Sequence, residues 1–268
     1  MIEIKNRNFS IEQICHSGQC FRIEPIKERE YRIIACHKVL YARQEAGCVL
    51  LSCQENEYEK IWKNYFDMDT DYQSYINVID KEDVYLSEAA TYGQGIRILR
   101  QDCWEMIISF IISQQNNIKR IRGCIDALCR KYGKQIQTET NEVLFDFPTP
   151  EELCKATEED LRDMKLGYRS RYIVETTKTI VGGTLLSQLQ QSNYTEAKEL
   201  LLDLSGIGIK VAECICLFGL HHLEAFPVDT HILKILKEEY NDRFPFHLYQ
   251  GFEGVMQQYM FFKDLKIK

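Results

Sequence analysis

Apolar positions change their period once along this chain. Up to about residue 80 they come in short runs, Tyr31-Arg32-Ile33-Ile34-Ala35 and Cys48-Val49-Leu50-Leu51-Ser52 among them, bounded by charged or glycine-containing breaks. Short runs rich in β-branched and aromatic residues predict an antiparallel sheet. A helix is expected near 55–65, and Ser17-Gly18-Gln19-Cys20-Phe21-Arg22 reads as a loop entering a strand. From Val84 onward the period is helical. Trp104, Ile107, Ile108, Ile111 and Ile112 form a single apolar face, the spacing of an amphipathic helix. That helix stops at the polar turn Ser113-Gln114-Gln115-Asn116-Asn117, and a second one carries Ile118, Ile121, Ile125 and Leu128 to near Gly133. Thr149 and Glu152 fit a capping box with Pro150 in the first turn. Further helices are expected over about 157–164, 170–181, 193–204, 210–220, 229–240 and 248–262, with Gly182-Gly183 as a break. The fold class is therefore α+β. An N-terminal antiparallel β-sheet domain over 1–85 precedes a mostly α-helical region over 86–268.

Composition narrows the setting. The 268 residues are 45% hydrophobic and 27% charged, ordinary for a globular protein with a sizeable core. No run approaches a membrane span, and MIEIKNRNFS lacks the pattern of a secretory signal. A cytoplasmic protein with no membrane partner is the expectation. The eleven cysteines are scattered, mostly in apolar runs, without CxxC spacing. Reduced core cysteines are expected. The net charge of −7 argues mildly against nucleic acid, because affinity for phosphates comes from Lys and Arg. The runs Lys119-Arg120-Ile121-Arg122 and Arg169-Ser170-Arg171 are nevertheless basic, so a basic face on an acidic chain remains open.

Candidate chemistry concentrates between Leu201 and His231. Leu204-Ser205-Gly206-Ile207-Gly208-Ile209-Lys210 reads as a helix, a tight glycine hairpin and the start of a second helix, a motif spanning about 196–220. Glycines at such a turn permit positive φ and close approach of a ligand to the backbone. The unpaired N–H groups of the following helix favour an anion. Lys210 falls in that helix's first turn, where the dipole disfavours an ammonium. Partial burial there would favour the neutral amine that imine chemistry requires. Cys214, four residues on, shares its face. Asp229, after Pro227, is an N-cap candidate for the next helix, and a carboxylate there can also face a sugar cation. His231 is a surface histidine or a phosphate contact. Taken singly, each residue has a bland reading: a solvated lysine, a core cysteine, a structural cap.

Taken together, these residues resemble the helix–hairpin–helix superfamily of DNA glycosylases, and more closely its 8-oxoguanine DNA glycosylase/AP lyase family. The resemblance extends over Ser17-Gly18-Gln19 with Phe21-Arg22, Gly95 to Asp102, Ser109 to Ser113 with Asn116-Asn117-Ile118, Leu166-Gly167-Tyr168-Arg169, Lys210-Val211-Ala212 with Cys214-Ile215-Cys216, and Pro227-Val228-Asp229, in that family's order. Two features depart from its pattern. The turn reads Gln114-Gln115-Asn116-Asn117 where three asparagines are usual, and Gly254-Val255-Met256-Gln257 lacks the usual tryptophan after the glycine.

The resemblance implies a bifunctional enzyme that excises 8-oxoguanine from duplex DNA. Lys210 would attack C1′ and form the imine that permits β-elimination, and Asp229 would stabilise the positive sugar. Cys214 and Phe261 would lie on the two faces of the flipped base. Gln257 would bond its Watson–Crick edge, and Gly18 would offer its carbonyl to N7–H. Arg120 and Arg169 would read the orphaned cytosine, with Gln115 or Asn116 filling the gap and Tyr168 as a wedge. Gly206 and Gly208 would hold a phosphate, as would His231. The expected partner is duplex DNA with 8-oxoguanine opposite cytosine, bound by a monomer that needs neither cofactor nor metal. In a prokaryote the protein would be nucleoid-associated.

Three other readings compete. Glycosylases of the endonuclease III type commonly carry four closely spaced cysteines after the aspartate, and no cysteine follows Cys216. Superfamily members acting on adenine or alkylated bases lack the lysine. A noncatalytic helix–hairpin–helix DNA-binding protein leaves the retention of both Lys210 and Asp229 unexplained.

Overall fold

The computed structural model describes residues 1–138 and 142–266. Its chain divides into two compact units. Unit 1 holds residues 1–33, 40–100 and 221 onward, and unit 2 holds 34–39 and 101–220.

A sheet, in unit 1 except for residues 34–39, is built from β1 (Ile2–Ile4), β2 (Ile23–Lys27), β3 (Glu30–Ala35), β4 (Lys38–Glu45) and β5 (Cys48–Leu51), in the order β1-β5-β4-β3-β2. Pairing is antiparallel for β1 with β5, β2 with β3 and β4 with β5, with Ala42 opposite Leu51 and Ile4 opposite Val49. Side chains alternate across a strand, and one face is buried: Tyr31, Ile33, Leu40, Ala42, Val49 and Leu51. The expected helix near 55–65 is present as Glu55–Glu57, Tyr58–Trp62 and Lys63–Tyr65, with π geometry in its middle piece. Leu86, Ala89 and Ala90 of the helix Val84–Tyr92 are fully buried, and that helix packs on the last one, Glu253–Lys266.

This packing is why the expected boundary at 85/86 does not coincide with the compact units. The change of hydrophobic period at Val84 is real, but the helix that begins there joins the sheet-bearing unit. So does the segment after it. Arg97 is 1% exposed, and its guanidinium donates to the backbone carbonyls of Asn8, Phe66, Asp67 and Thr70.

Unit 2 is helical around Cys103–Ser113, capped by Asp102 through Glu105 N at 2.8 Å. The expected apolar face is buried, and so are Met106, Ser109 and Phe110 on the other sides. The helix is central rather than amphipathic. The hairpin helix Ile209–Gly219 crosses it closely: a Cβ on Gly219 would lie 2.9 Å from Cβ of Met106. Ile118–Tyr132 packs on it too; Ile121, Ile125 and Leu128 of its expected apolar face are buried, whereas Ile118, in the first turn, is exposed. The Thr149–Glu152 capping box forms in full.

The short helices Ile11–His16, Tyr72–Asn77 and Leu185–Gln191 are not among the expected ones, and the last helix is expected to begin at 248. Phe246–Leu248 is instead a single 3-10 turn. None of the cysteines is in a disulfide; eight are buried, whereas Cys36 and Cys154 are exposed and Cys48 is half-buried. Among the described residues no helix is long and apolar enough to cross a membrane.

Candidate active site

The hairpin lies wholly in unit 2. Tyr194–Leu202, capped by Asn193 and Glu196, leads into it, and Ile209–Gly219 leaves it. Gly206 has φ +77°, and a Cβ there would lie 2.3 Å from Cγ of Tyr172. Only glycine lets the turn rest on that ring in that conformation. Gly208 differs from expectation. Its φ is −95°, it is the N-cap of the second helix, and nothing lies within 4 Å of the missing Cβ. Its role is therefore to leave the first N–H groups of that helix uncovered, which keeps those orphan donors open to an anion. The hairpin is held from behind. Thr176 Oγ1 donates to Ser205 O at 3.1 Å, and Gln114 Nε2 donates to Gly206 O at 2.9 Å.

Lys210 follows at the second position of the hairpin helix and is exposed, so the partial burial expected of it is not found. Its Nζ stands 5.8 Å from the ring centroid of Phe110. Cys214, one turn later, is 3% exposed.

The polar turn 113–117 carries a second group of candidates. Gln115 sits at φ +46°. Behind it Arg169, 4% exposed, donates to the carbonyls of Gln114, Gln115 and Leu166. Arg169 thus shapes the turn from inside instead of facing DNA as expected. Its guanidinium covers the ring of Tyr168 at 4.6 Å, and that ring is 44% exposed. Asn116 is engaged with backbone, donating to Ile112 O and accepting from Asn117 N, each at 3.1 Å. The side chain of Gln115 is exposed and has no hydrogen-bond partner among the described residues. Asn117 caps the next helix, and Arg120, exposed on it, donates to Lys165 O at 2.9 Å.

Unit 1 brings together Gly18, His231 and Phe261. Gly18 has φ +77°, and its missing Cβ would lie 2.9 Å from Cε1 of Phe261. The loop is clamped on each side of it. Ser17 Oγ donates to Ile14 O and accepts from Gln19 Nε2, both at 2.9 Å. Gln19, fully buried, also donates to Arg97 O and accepts from Leu99 N, both at 2.9 Å. A glutamine in a turn gives no sign of this from sequence, because its partners lie some eighty positions away. The rings of Phe261 and His231 meet edge to face, centroids 5.6 Å apart. His231 Nδ1 is 2.5 Å from Asp264 Oδ2. Asp264 was missed in sequence; standing three residues after Phe261, it shares that residue's helix face.

Asp229 caps Thr230–Tyr240 as predicted, accepting from Ile232 N at 2.9 Å through Oδ1. Its Oδ2 has no partner among the described residues. Gln257, 3% exposed, donates through Nε2 to Pro227 O at 3.0 Å. A backbone carbonyl two residues before the aspartate is therefore tied to the C-terminal helix.

Two family models match in tandem: the N-terminal domain of 8-oxoguanine DNA glycosylase over residues 1–107, and the HhH-GPD superfamily of base excision DNA repair proteins over 108–243. The chain is 42% identical over 159 residues to the N-glycosylase/DNA lyase of Saccharomyces cerevisiae, covering 55% of this chain and 42% of the yeast protein. It is 30% identical over 230 residues to N-glycosylase/DNA lyase OGG1 of Arabidopsis thaliana, covering 82% and 63%. The chain thus spans less than two thirds of either relative's length. The structure of the Clostridium acetobutylicum 8-oxoguanine glycosylase/lyase, solved with duplex DNA containing cytosine opposite 8-oxoguanine, superposes with a TM-score of 0.90. It is 32% identical, and the match covers 97% of this chain and 93% of that one.

Proposed function

Because this chain belongs to the HhH-GPD superfamily of base excision DNA repair proteins and begins with the N-terminal domain of 8-oxoguanine DNA glycosylases, we propose that it is a bifunctional glycosylase and lyase that removes 8-oxoguanine from duplex DNA. The observation that carries the reading is Lys210, an exposed amine in the first turn of the hairpin helix. In the proposed reaction Lys210 Nζ, as the free amine, attacks C1′ while the C1′–N9 bond breaks. The bonding pair leaves with the base, which takes up a proton. The nitrogen then loses a proton, and its lone pair forms the C=N bond as the C1′–O4′ bond breaks and O4′ takes up a proton; removal of a C2′ proton from the protonated imine then expels the 3′ phosphate. The Asp229 carboxylate offsets the positive charge that builds on the sugar.

Lesion choice falls first to Gly18. Guanine N7 is an acceptor, whereas N7 of 8-oxoguanine carries a proton. The carbonyl of Gly18 gains a hydrogen bond with the lesion and meets a lone pair with guanine, a polar mismatch that discriminates strongly. Phe261 and Cys214 serve as the faces for the base, and Gln257 serves its Watson–Crick edge. Extruding a base costs a few kcal/mol, which residues filling the gap partly offset. Gln115 supplies an uncommitted amide for that role and Tyr168 an exposed ring. Arg120 has the exposed guanidinium that an orphaned cytosine needs. Arg169, buried behind the turn, reaches one only if the turn moves aside. The open N–H groups after Gly208 suit a DNA phosphate, and His231 suits another. The reading carries with it action as a monomer in the cytoplasm, at the nucleoid in a prokaryote.

A nicking assay tests this directly, using duplexes with 8-oxoguanine, uracil or an abasic site opposite each base in turn. Cleavage is expected at 8-oxoguanine opposite cytosine and at the abasic site. Cleavage at uracil with 8-oxoguanine left intact would overturn the reading.

A further inference from the structure

From Gly254 to Met260 every residue of the last helix is buried, and Gln257 and Gln258 are the two amide side chains in that run. A buried amide is costly unless its donors and acceptor are paired. Gln257 meets this demand on both ends: Nε2 donates to Pro227 O at 3.0 Å, and Oε1 accepts from Gln258 Nε2 at 3.1 Å. Gln258, 2% exposed, does not, because its Oε1 has no partner. Methionine or leucine would remove this orphaned oxygen but would take from the buried Gln257 Oε1 the donor it has in Gln258. What Gln258 does accomplish is to fix its neighbour.

The polarity of the chain of bonds follows from chemistry. A carbonyl oxygen only accepts, so the Gln257 atom facing Pro227 is the nitrogen and the atom facing Gln258 is the oxygen. Turning the Gln257 amide over would set its oxygen against the Pro227 carbonyl, and Gln258 would have to turn over with it for its own oxygen to accept from the inverted NH2. Neighbouring helix positions point about 100° apart, so the contact holds both long side chains in one arrangement. An amide oxygen has two lone pairs, and Gln258 occupies one of them.

We propose that Gln258 is a positioning residue that locks the Gln257 amide so that its oxygen is the acceptor offered to a base. The base selected is one with donors at N1 and the exocyclic amine, the guanine-type edge, and an adenine-type edge with an acceptor at N1 is refused. This rests on the reading of Gln257 as the base-edge contact.

The test compares single-turnover excision of 8-oxoguanine opposite cytosine with strand cleavage at a preformed abasic site, where there is no base to read. In Gln258→Met the ratio of excision to abasic-site cleavage is expected to fall about tenfold, the loss of one oriented hydrogen bond. A purely structural role lowers both activities together and leaves the ratio unchanged, and that result overturns the proposal. If Gln258→Met fails to fold, Gln258→Glu decides. Its ionised carboxylate repels the Gln257 oxygen, whereas its protonated form donates as the amide does. The ratio should then be low at neutral pH and recover as the pH is lowered, and a flat ratio overturns the proposal. Failure of the underlying reading looks different: the parent protein cleaves neither substrate, or Gln257→Met leaves the ratio untouched.

Discussion

Gly18 and Phe261 approach so closely that no side chain fits between them. A Cβ on Gly18 would stand 2.9 Å from Cε1 and 3.5 Å from Cζ of the ring, and the backbone there is left-handed at φ +77°. The proposed lesion-reading carbonyl and the proposed base platform therefore belong to one surface. Gly18→Ala should strain the backbone by about 1 kcal/mol and push the ring out of place. Denaturant unfolding should show the loss of stability. Excision of 8-oxoguanine should fall by at least about tenfold relative to abasic-site cleavage. Unchanged excision in a folded variant would remove Gly18 from the specificity surface.

Lys210 and Asp229 invite a paired prediction. Lys210 is exposed, so Lys210→Gln should leave the fold intact, with surface changes costing within about 0.5 kcal/mol. It should abolish the covalent complex that borohydride traps from an 8-oxoguanine duplex. Trapping that survives the change would give the nucleophile's role to another amine. Asp229→Asn keeps an oxygen to accept from Ile232 N, the cap seen at 2.9 Å, so stability and DNA binding should hold while excision slows. Loss of binding would make Asp229 a structural cap and no more.

The fold was legible where local periodicity matched final burial. The helices Ile118–Tyr132 and Thr230–Tyr240 came out as expected because each is marked off in the sequence, the first by a polar turn and the second by the cap Asp229. The boundary at 85/86 did not, because the partner of Val84–Tyr92 is a helix some 170 positions later. Within the site, the glycine hairpin was legible from spacing, whereas the role read into Lys210 came from the family resemblance. Gln19, Gln258 and Asp264 were not legible, since each acts through a partner that spacing alone does not reveal. Arg169 was visible as a basic residue beside a turn, but whether its charge faces outward or inward is set by tertiary packing.

Arg120 and Arg169 should now separate. Arg169 donates to the carbonyls of Gln114, Gln115 and Leu166 and is buried. Arg169→Ala removes the buried guanidinium that ties the carbonyls of the turn together, a loss of about 1–3 kcal/mol, so a marked loss of melting temperature is expected. Arg120 is exposed and makes a single backbone contact. Arg120→Ala should barely move the melting temperature and should instead narrow the gap in rate between cytosine and the other bases opposite 8-oxoguanine. Equal effects of the two changes on stability would contradict the structure's assignment of Arg169 to the turn.

Asp67 supplies a pH prediction. It is 4% exposed, and burial by itself raises its pKa. His221 Nε2 at 3.3 Å and Arg100 Nε at 2.9 Å outweigh this and hold it down to about 2. A carboxyl depressed in the folded state contributes stability above its ordinary pKa and loses it as the pH falls through the folded value. Unit 1 should therefore lose about 2 kcal/mol between pH about 4 and about 2, measured by denaturant unfolding across that range. Asp67→Asn should be less stable at neutral pH and should lack this step. The loss should also reach the Gly18 loop. Asp67 O accepts from Arg97, Arg97 O accepts from Gln19, and Gln19 accepts from Leu99 N. Hydrogen exchange at the Leu99 amide, corrected for the intrinsic pH dependence of exchange, should therefore accelerate over the same pH interval. A Leu99 amide that stays protected while Asp67 protonates would show that the clamp on Gly18 is independent of the buried aspartate.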